Sequence, residues 1–256
     1  MSHPLLAKES WSPDEIEQLN ESFVSSSAQE ILQAGVAAIF PHITFANSFG
    51  LEDIVISHLL SQVTERVEIF VLDTGRLHPE TYHLIEQWWR RFDLNLKILS
   101  PDATKLEPFV AASGPNAFYR SVSLRQRCCE IRKLEPLNRA LQGKRAWITG
   151  LRRDQSQSRS ETNAFALDVQ GRLKINPLVS WTLDDVWEYV RSHRLPYNPL
   201  HDEGFPSIGC APCTRAVAPG EDLRAGRWWW EQQGHKECGL HVRSKKEGNY
   251  ASQSSR

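Results

Sequence analysis

Apolar and polar positions alternate between two periods along this chain. A helical pattern starts at Ser12-Pro13-Asp14-Glu15, with Ser as N-cap, Pro in the first turn and acids behind it, and runs to about residue 40 with a break near residues 25–27. Short apolar, β-rich runs at residues 43–46, 67–72, 94–98 and 145–149 read as strands. Amphipathic stretches at residues 53–60, 79–92, 104–112 and 129–141 lie between or beside them as helices. Two further strands are expected at residues 164–168 and 173–176, and Thr182-Leu183-Asp184-Asp185 caps a helix reaching about residue 194. Strands alternating with helices of this length predict an α/β fold, with a mainly parallel sheet flanked by helices. After Pro196 the chain is rich in Gly and Pro up to Pro219. We therefore expect an α/β domain over residues 1–219 and a C-terminal extension, a helix and a tail, over residues 220–256.

The chain has 256 residues and a formal net charge of -1, enough for one substantial core. No apolar run is long enough for a transmembrane helix, and residues 1–9 lack the basic start and apolar centre of a signal peptide. A cytoplasmic protein with no membrane association is expected, in which cysteines serve metal binding or catalysis rather than disulfides. The sequence leaves a homo-oligomer open.

The small net charge hides an asymmetry. Residues 1–100 hold 6 Lys/Arg and 14 Asp/Glu, a balance of -8, whereas residues 119–160 hold 11 and 3, a balance of +8. A basic block inside an otherwise acidic chain suits an anionic ligand. It could also be a solvated helix face. Nucleic acid is not the expected partner, since there is no zinc-finger spacing and no long basic arm.

Five cysteines carry the strongest chemical signal. Cys128 and Cys129 are adjacent, Cys210-Ala211-Pro212-Cys213 forms a CxxC, and Cys238 is left over. Four thiolates in two pairs select zinc or an iron–sulfur cluster. Neighbouring residues at a helix start point about 100° apart, which is cramped for one tetrahedral zinc, while a cluster offers separate irons to the two sulfurs. Cys238 lies in Lys236-Glu237-Cys238-Gly239-Leu240-His241, and the cations around it favour the thiolate. It is either a nucleophile or an idle surface thiol.

Other candidates sit at expected strand ends, where open α/β sheets bind ligands. Asn47-Ser48-Phe49-Gly50 offers the Ser48 hydroxyl and close backbone approach at Gly50, but is neither a dinucleotide fingerprint nor a Walker A loop. Leu72-Asp73-Thr74-Gly75 forms a polar loop able to take a base or ribose, and His78 reads as a packing or capping residue. Arg132 and Lys133 follow the double cysteine. Gly150-Leu151-Arg152-Arg153 and Arg159 follow another strand. Arg224 and Arg227, read as one helical turn apart, precede Trp228-Trp229-Trp230, which we read as packing residues.

Taken in order, Ser48-Phe49-Gly50, Leu72-Asp73-Thr74-Gly75, Cys128-Cys129 with Arg132-Lys133, Gly150-Leu151-Arg152-Arg153, Cys210-Ala211-Pro212-Cys213, Arg224/Arg227 and Glu237-Cys238-Gly239-Leu240-His241 resemble the assimilatory sulfonucleotide reductases, in the cluster-containing adenylyl-sulfate (APS) reductase branch. The resemblance spans roughly residues 30–243. It implies an adenine-nucleotide α-hydrolase-like sheet and a [4Fe-4S] cluster on Cys128, Cys129, Cys210 and Cys213. It also implies that Cys238 attacks the sulfur of adenosine 5′-phosphosulfate, giving an S-sulfocysteine and AMP, from which thioredoxin or a glutaredoxin-like dithiol releases sulfite. By motif position, Lys133, Arg159, Arg224 and Arg227 would hold the phosphosulfate, and Ser48, Gly50 and Leu72 the adenosine. The same chemistry on the 3′-phosphorylated substrate (PAPS) is the nearest alternative. More distant ones are an ATP-using enzyme of tRNA thiolation, whose SGGxDS-type loop this chain lacks, and a nucleic-acid-binding iron–sulfur sensor. With four thiols in the cluster, the S-sulfocysteine would have no resolving cysteine in the chain, so an external dithiol is required.

Overall fold

A computed structural model describes residues 3–64, 66–156 and 159–231. The two helix starts foreseen at Ser12 and Thr182 carry reciprocal capping boxes, and so does a third at Ser27, within the expected break. Ser12 caps α1 (Pro13–Ser22), Ser27 caps α2 (Ala28–Ile39) and Thr182 caps α8 (Leu183–Ser192); in each, the hydroxyl accepts from the N3 backbone and the N3 acid accepts from the cap N–H.

The sheet contains β1 (Ile43–Ala46), β2 (Glu68–Leu72), β3 (Leu96–Leu99), β4 (Ala146–Ile148), β5 (Phe165–Leu167) and β6 (Leu173–Ile175), in the order β3-β2-β1-β4-β6-β5. All neighbours are parallel except β5 with β6. The helices α3 (Leu51–Val63), α4 (Pro79–Arg91) and α5 (Ala103–Ser113) follow β1, β2 and β3 in turn.

Side chains on a strand alternate between the two faces, and the core divides accordingly. Phe45, Ile69, Val71 and Ile148 join the large core with α2 and α3. Phe70 and Trp147, one residue out of phase, join Leu137 and Ala140 of α7 (Glu135–Ala140) and its C-cap Leu141 on the other face. Both faces are therefore covered, as parallel sheets require.

From β1 the chain steps outward through β2 to β3, then returns to place β4 on the other side of β1. The carboxyl ends of β1 and β4 thus form a topological switch point, where such sheets leave a crevice.

Two expectations change. The double cysteine does not open a helix. It closes α6 (Val122–Cys129), which runs into a π-helical turn (Glu130–Leu134) and then α7. The apolar periodicity is carried by residues beyond Cys129, which drew the expected start too late. Residues 221–231 contain turns and a single bridge between Thr214 and Arg227, with no helix among them. Arg224 and Arg227 are therefore not related by a helical turn; Arg227 N donates to Arg224 O at 2.9 Å instead.

Candidate active site

The loop after β1 is fixed by its own polar side chains. Asn47 Oδ1 accepts from Phe49 N at 2.7 Å, and Asn47 Nδ2 donates to Ser57 Oγ at 2.8 Å. Asp53 Oδ2 accepts from both Ser48 N and Ser48 Oγ at 2.6 Å. These bonds hold buried Phe49 at a φ of 57°, a conformation that non-glycine residues avoid without such support. Gly50 is the N-cap of α3 and provides no side-chain cap, so the first backbone N–H groups of the helix have no such partner. Burial pushes the Asp53 carboxyl up to about 7, against the opposing effect of the Ser48 bonds and Arg159.

Across the switch point, Gly150 makes that packing feasible. A Cβ there would lie 2.3 Å from Asp53 Oδ1 and 2.9 Å from Glu52 Cβ. Arg152, 1% exposed, is bound to Glu52 through Nε at 2.9 Å and to Asp154 at 3.2 Å. Arg153 Nε donates to Thr162 O at 2.8 Å. Part of the basic block is therefore structural: Arg152 and Arg153 brace the loop after β4.

One cleft at the carboxyl ends of β1, β2 and β4 is lined by Ser48, Gly50, Leu72, Lys133, Arg159, Arg224 and Arg227. These are the seven residues expected to hold a sulfonucleotide, drawn from five separate stretches of sequence. Arg227 is aimed by Ser207 Oγ at 3.3 Å and by Gly209, where a Cβ would lie 2.3 Å from its Nη2. Thr74, from the polar loop expected to take a base or ribose, also lines this cleft, and so do Asp53, His201, Ser207 and Gly209, to which the sequence reading assigned no role. Asp53 lies five residues after Ser48, a spacing that could have suggested the loop-closing carboxylate.

Beside the cleft lies a smaller pocket lined by Cys128, Cys129, Cys210 and Cys213 with Arg76, Phe118, Arg125, Arg132, Lys133 and Pro212. Lys133 and Cys210 line both cavities, so the two share a wall. The π turn contributes to this arrangement. It carries Arg132 under the loop after β2, where its Nη1 donates to Thr74 O at 2.6 Å, while Lys133 reaches the shared wall.

The sulfurs respond to this setting. Burial pushes the Cys128 thiol up, moderated by Arg132. Burial and the neighbouring Cys210 push Cys213 up to about 12. Burial acts on Cys210 in the same direction, but Lys133, a Thr74 hydroxyl at 3.3 Å, Arg227 and Arg132 outweigh it and hold this thiol low.

The donor set fits an anionic sulfur cluster. Four sulfurs converge on one pocket, and the Trp228 Nε1 and Arg132 Nε groups are buried without a hydrogen-bond partner. Unmatched buried donors are costly, and sulfides or thiolates would match them. Among the described residues no group of three or more His, Cys, Asp or Glu side chains is set to hold a metal ion. A cluster, which presents a separate iron to each cysteine, does not need all four sulfurs to converge on one atom. Cys238, the expected nucleophile, lies outside the described residues.

The sheet order and the crevice at its switch point define a doubly wound, mainly parallel α/β architecture flanked by helices. Consistent with this, yeast FAD synthetase in complex with FAD superimposes with a TM-score of 0.54 over 83% of this chain and 71% of that one, at 14% identity, a likeness of fold alone. A match to the phosphoadenosine phosphosulfate reductase domain covers residues 42–216, and the chain belongs to that family. It is similar to the adenosine 5′-phosphosulfate reductase of Allochromatium vinosum, 51% identical over 202 residues, which are 78% of this chain and 79% of that one. It is 45% identical over 237 residues to the enzyme of the same name from Pseudomonas aeruginosa, covering 90% and 88% of the two chains. The crystal structure of a phosphoadenylyl-sulfate (PAPS) reductase from Candida auris, a phosphate complex, matches with a TM-score of 0.70 at 31% identity, covering 81% of this chain and 98% of that one. No described helix is long and apolar enough to cross a membrane.

Proposed function

We propose that this protein is a cytoplasmic adenosine 5′-phosphosulfate reductase that takes its electrons from thioredoxin or a glutaredoxin-like dithiol. The observation that carries this reading is the shared wall: seven expected sulfonucleotide contacts line one cleft, and its Lys133 and Cys210 also face the four-cysteine pocket. Ser48, Gly50 and Leu72 hold the adenosine, and Lys133, Arg159, Arg224 and Arg227 hold the phosphosulfate. Cys128, Cys129, Cys210 and Cys213 hold a [4Fe-4S] cluster, which when bound supplies a fixed anionic body against which Lys133 is held. In the same proposal, residues 1–219 carry the cluster and most of the substrate contacts, and residues 220–256 add Arg224, Arg227 and the nucleophile.

The chemistry balances without electron transfer through the cluster. The Cys238 thiolate attacks the sulfate sulfur, forming a sulfur–sulfur bond and breaking the sulfur–oxygen bond to the phosphate, so AMP leaves with the bonding pair. One thiolate of the dithiol then attacks Cys238 Sγ and displaces sulfite, and its second thiol closes the donor's disulfide and frees Cys238. Sulfur gains two electrons and the dithiol loses two. Arg and Lys groups preset around the phosphosulfate favour the charge gathering on the leaving phosphate oxygen.

The relatives named for adenosine 5′-phosphosulfate support the unphosphorylated substrate over PAPS. Competition between the two substrates, with sulfite release followed in the presence of reduced thioredoxin, tests the choice. Higher kcat/KM for the unphosphorylated substrate is expected, and a preference for PAPS would reverse the assignment.

A further inference from the structure

Arg125 and Glu231 form a buried ion pair that the substrate and cluster assignments leave unused. Their side chains are 2% and 8% exposed. Two parallel bonds join them, Nε to Oε1 at 2.8 Å and Nη2 to Oε2 at 3.0 Å, the fork geometry in which an arginine is held most firmly. The Arg125 guanidinium also lies 4.6 Å from the Trp228 ring centroid. On α6, Arg125 is one turn before Cys129 and interacts with its sulfur. Glu231 ends the described chain, and Cys238 comes seven residues later. Seven extended residues span at most about 25 Å, so the placement of Glu231 limits where Cys238 can act.

Burying a guanidinium is costly, and an apolar pair would join two segments at lower cost. What an apolar pair could not do is respond to charge at the cysteines. With four thiolates on an iron–sulfide core, the occupied pocket is anionic. An unpaired Glu231 carboxylate would then be repelled from it, whereas Arg125, which lines the pocket and binds the carboxylate, offsets that charge. We propose that Arg125 is a positioning residue, shared between Cys129 and Glu231, that fixes the start of the Cys238-bearing segment to the cysteine helix when the cluster site is filled. This rests on the function proposed above. Neither residue lines the substrate cleft, so the effect falls on delivery of the thiol and not on substrate affinity.

The test uses the full chain with its cluster, prepared without oxygen, as wild type and as Glu231→Gln, Arg125→Gln and Arg125→Lys. Three quantities are measured: the dissociation constant for adenosine 5′-phosphosulfate, the single-turnover rate at which Cys238 gains an SO3 unit without any dithiol, and iron release to a chelator. For Glu231→Gln we expect affinity within about twofold of wild type and an adduct rate about tenfold lower, below the full cost of losing one partner of a buried charge pair because Arg125 keeps Cys129. Iron release should stay at the wild-type rate in that variant. Arg125→Gln should slow the adduct and also release iron faster, with Arg125→Lys recovering part of both. Wild-type adduct rates in Glu231→Gln would overturn the proposal, as would a loss of affinity matching the loss of rate. If wild type itself formed no adduct, the proposed function would fail instead, so the two failures are distinguishable.

Discussion

Gly209 offers a way to move Arg227 without removing it. A Cβ at Gly209 would lie 2.3 Å from Nη2, 2.6 Å from Cζ and 3.1 Å from Nη1 of Arg227. Ordinary contact begins near 3.4 Å, so the guanidinium must retreat by about 1 Å. It is the far end of a flexible side chain, and the backbone at Gly209 lies outside the left-handed region, so the fold can absorb Gly209→Ala. The smaller entropy of the unfolded variant would even favour folding by about 0.4–1 kcal/mol. Catalysis has no such latitude. A misplacement of about 1 Å in a positioned group costs up to roughly 100-fold. Losing one charge-assisted bond to a phosphate or sulfate oxygen costs about 1.5–3 kcal/mol, again roughly 10- to 100-fold. Gly209→Ala should therefore keep its melting temperature and lose about 10- to 100-fold in kcat/KM, measured as sulfite release with reduced thioredoxin. Wild-type kcat/KM would refute the role given to Arg227. A matching loss of thermal stability would show that the site cannot yield as argued.

The neighbouring glycine should behave in the opposite way: Gly226→Ala directs its Cβ to 2.2 Å from the Arg215 backbone carbonyl, which cannot swing aside, so calorimetry should show a lowered melting temperature. Asp53 sets a pH dependence. Its carboxyl, raised to about 7 in the fold, keeps a proton that the unfolded chain releases near 4, so stability falls as pH rises from about 4 to about 7, by up to roughly 4 kcal/mol, and levels off above. Asp53→Asn should remove that slope, and urea midpoints running parallel with pH in both proteins would contradict it. Arg152→Met leaves Glu52 without its partner and should lower the unfolding free energy by about 3 kcal/mol in urea titration. Lys133→Ala should retain full iron yet lose at least about tenfold in kcat, since a cation facing the reacting group acts on the transition state; unchanged turnover would remove Lys133 from the mechanism.

Much of the architecture was legible because it rests on local signals. The strand over Ile43–Ala46 and the helix opened by Thr182 follow directly from period and capping chemistry. The site was legible through residue types at strand ends, since Ser48, Leu72 and Arg159 all reach one cleft. What escaped notice depends on long-range packing. The π turn after Cys129 goes with a contact between Arg132 and Thr74, far apart in sequence, that no local spacing encodes. The turns around Arg224–Trp230 were read as helix because their apolar and basic residues suit one. In the structure Trp228 N instead donates to Cys213 O at 3.2 Å, packing the tryptophan beside Cys210 and Cys213. Arg152 looked like a ligand for anions until its partner Glu52, a hundred residues earlier, was seen beside it.

The central claim is that Cys238 is the nucleophile for a sulfonucleotide held in this cleft. Mass spectrometry of the cluster-loaded protein after one equivalent of adenosine 5′-phosphosulfate, with no dithiol present, tests it most directly. The expected result is a single added SO3 unit on the peptide containing Cys238, one AMP released, and loss of the adduct as sulfite when reduced thioredoxin is added. A Cys238→Ser protein that still yields sulfite, or an adduct on any of the four pocket cysteines instead, would contradict it.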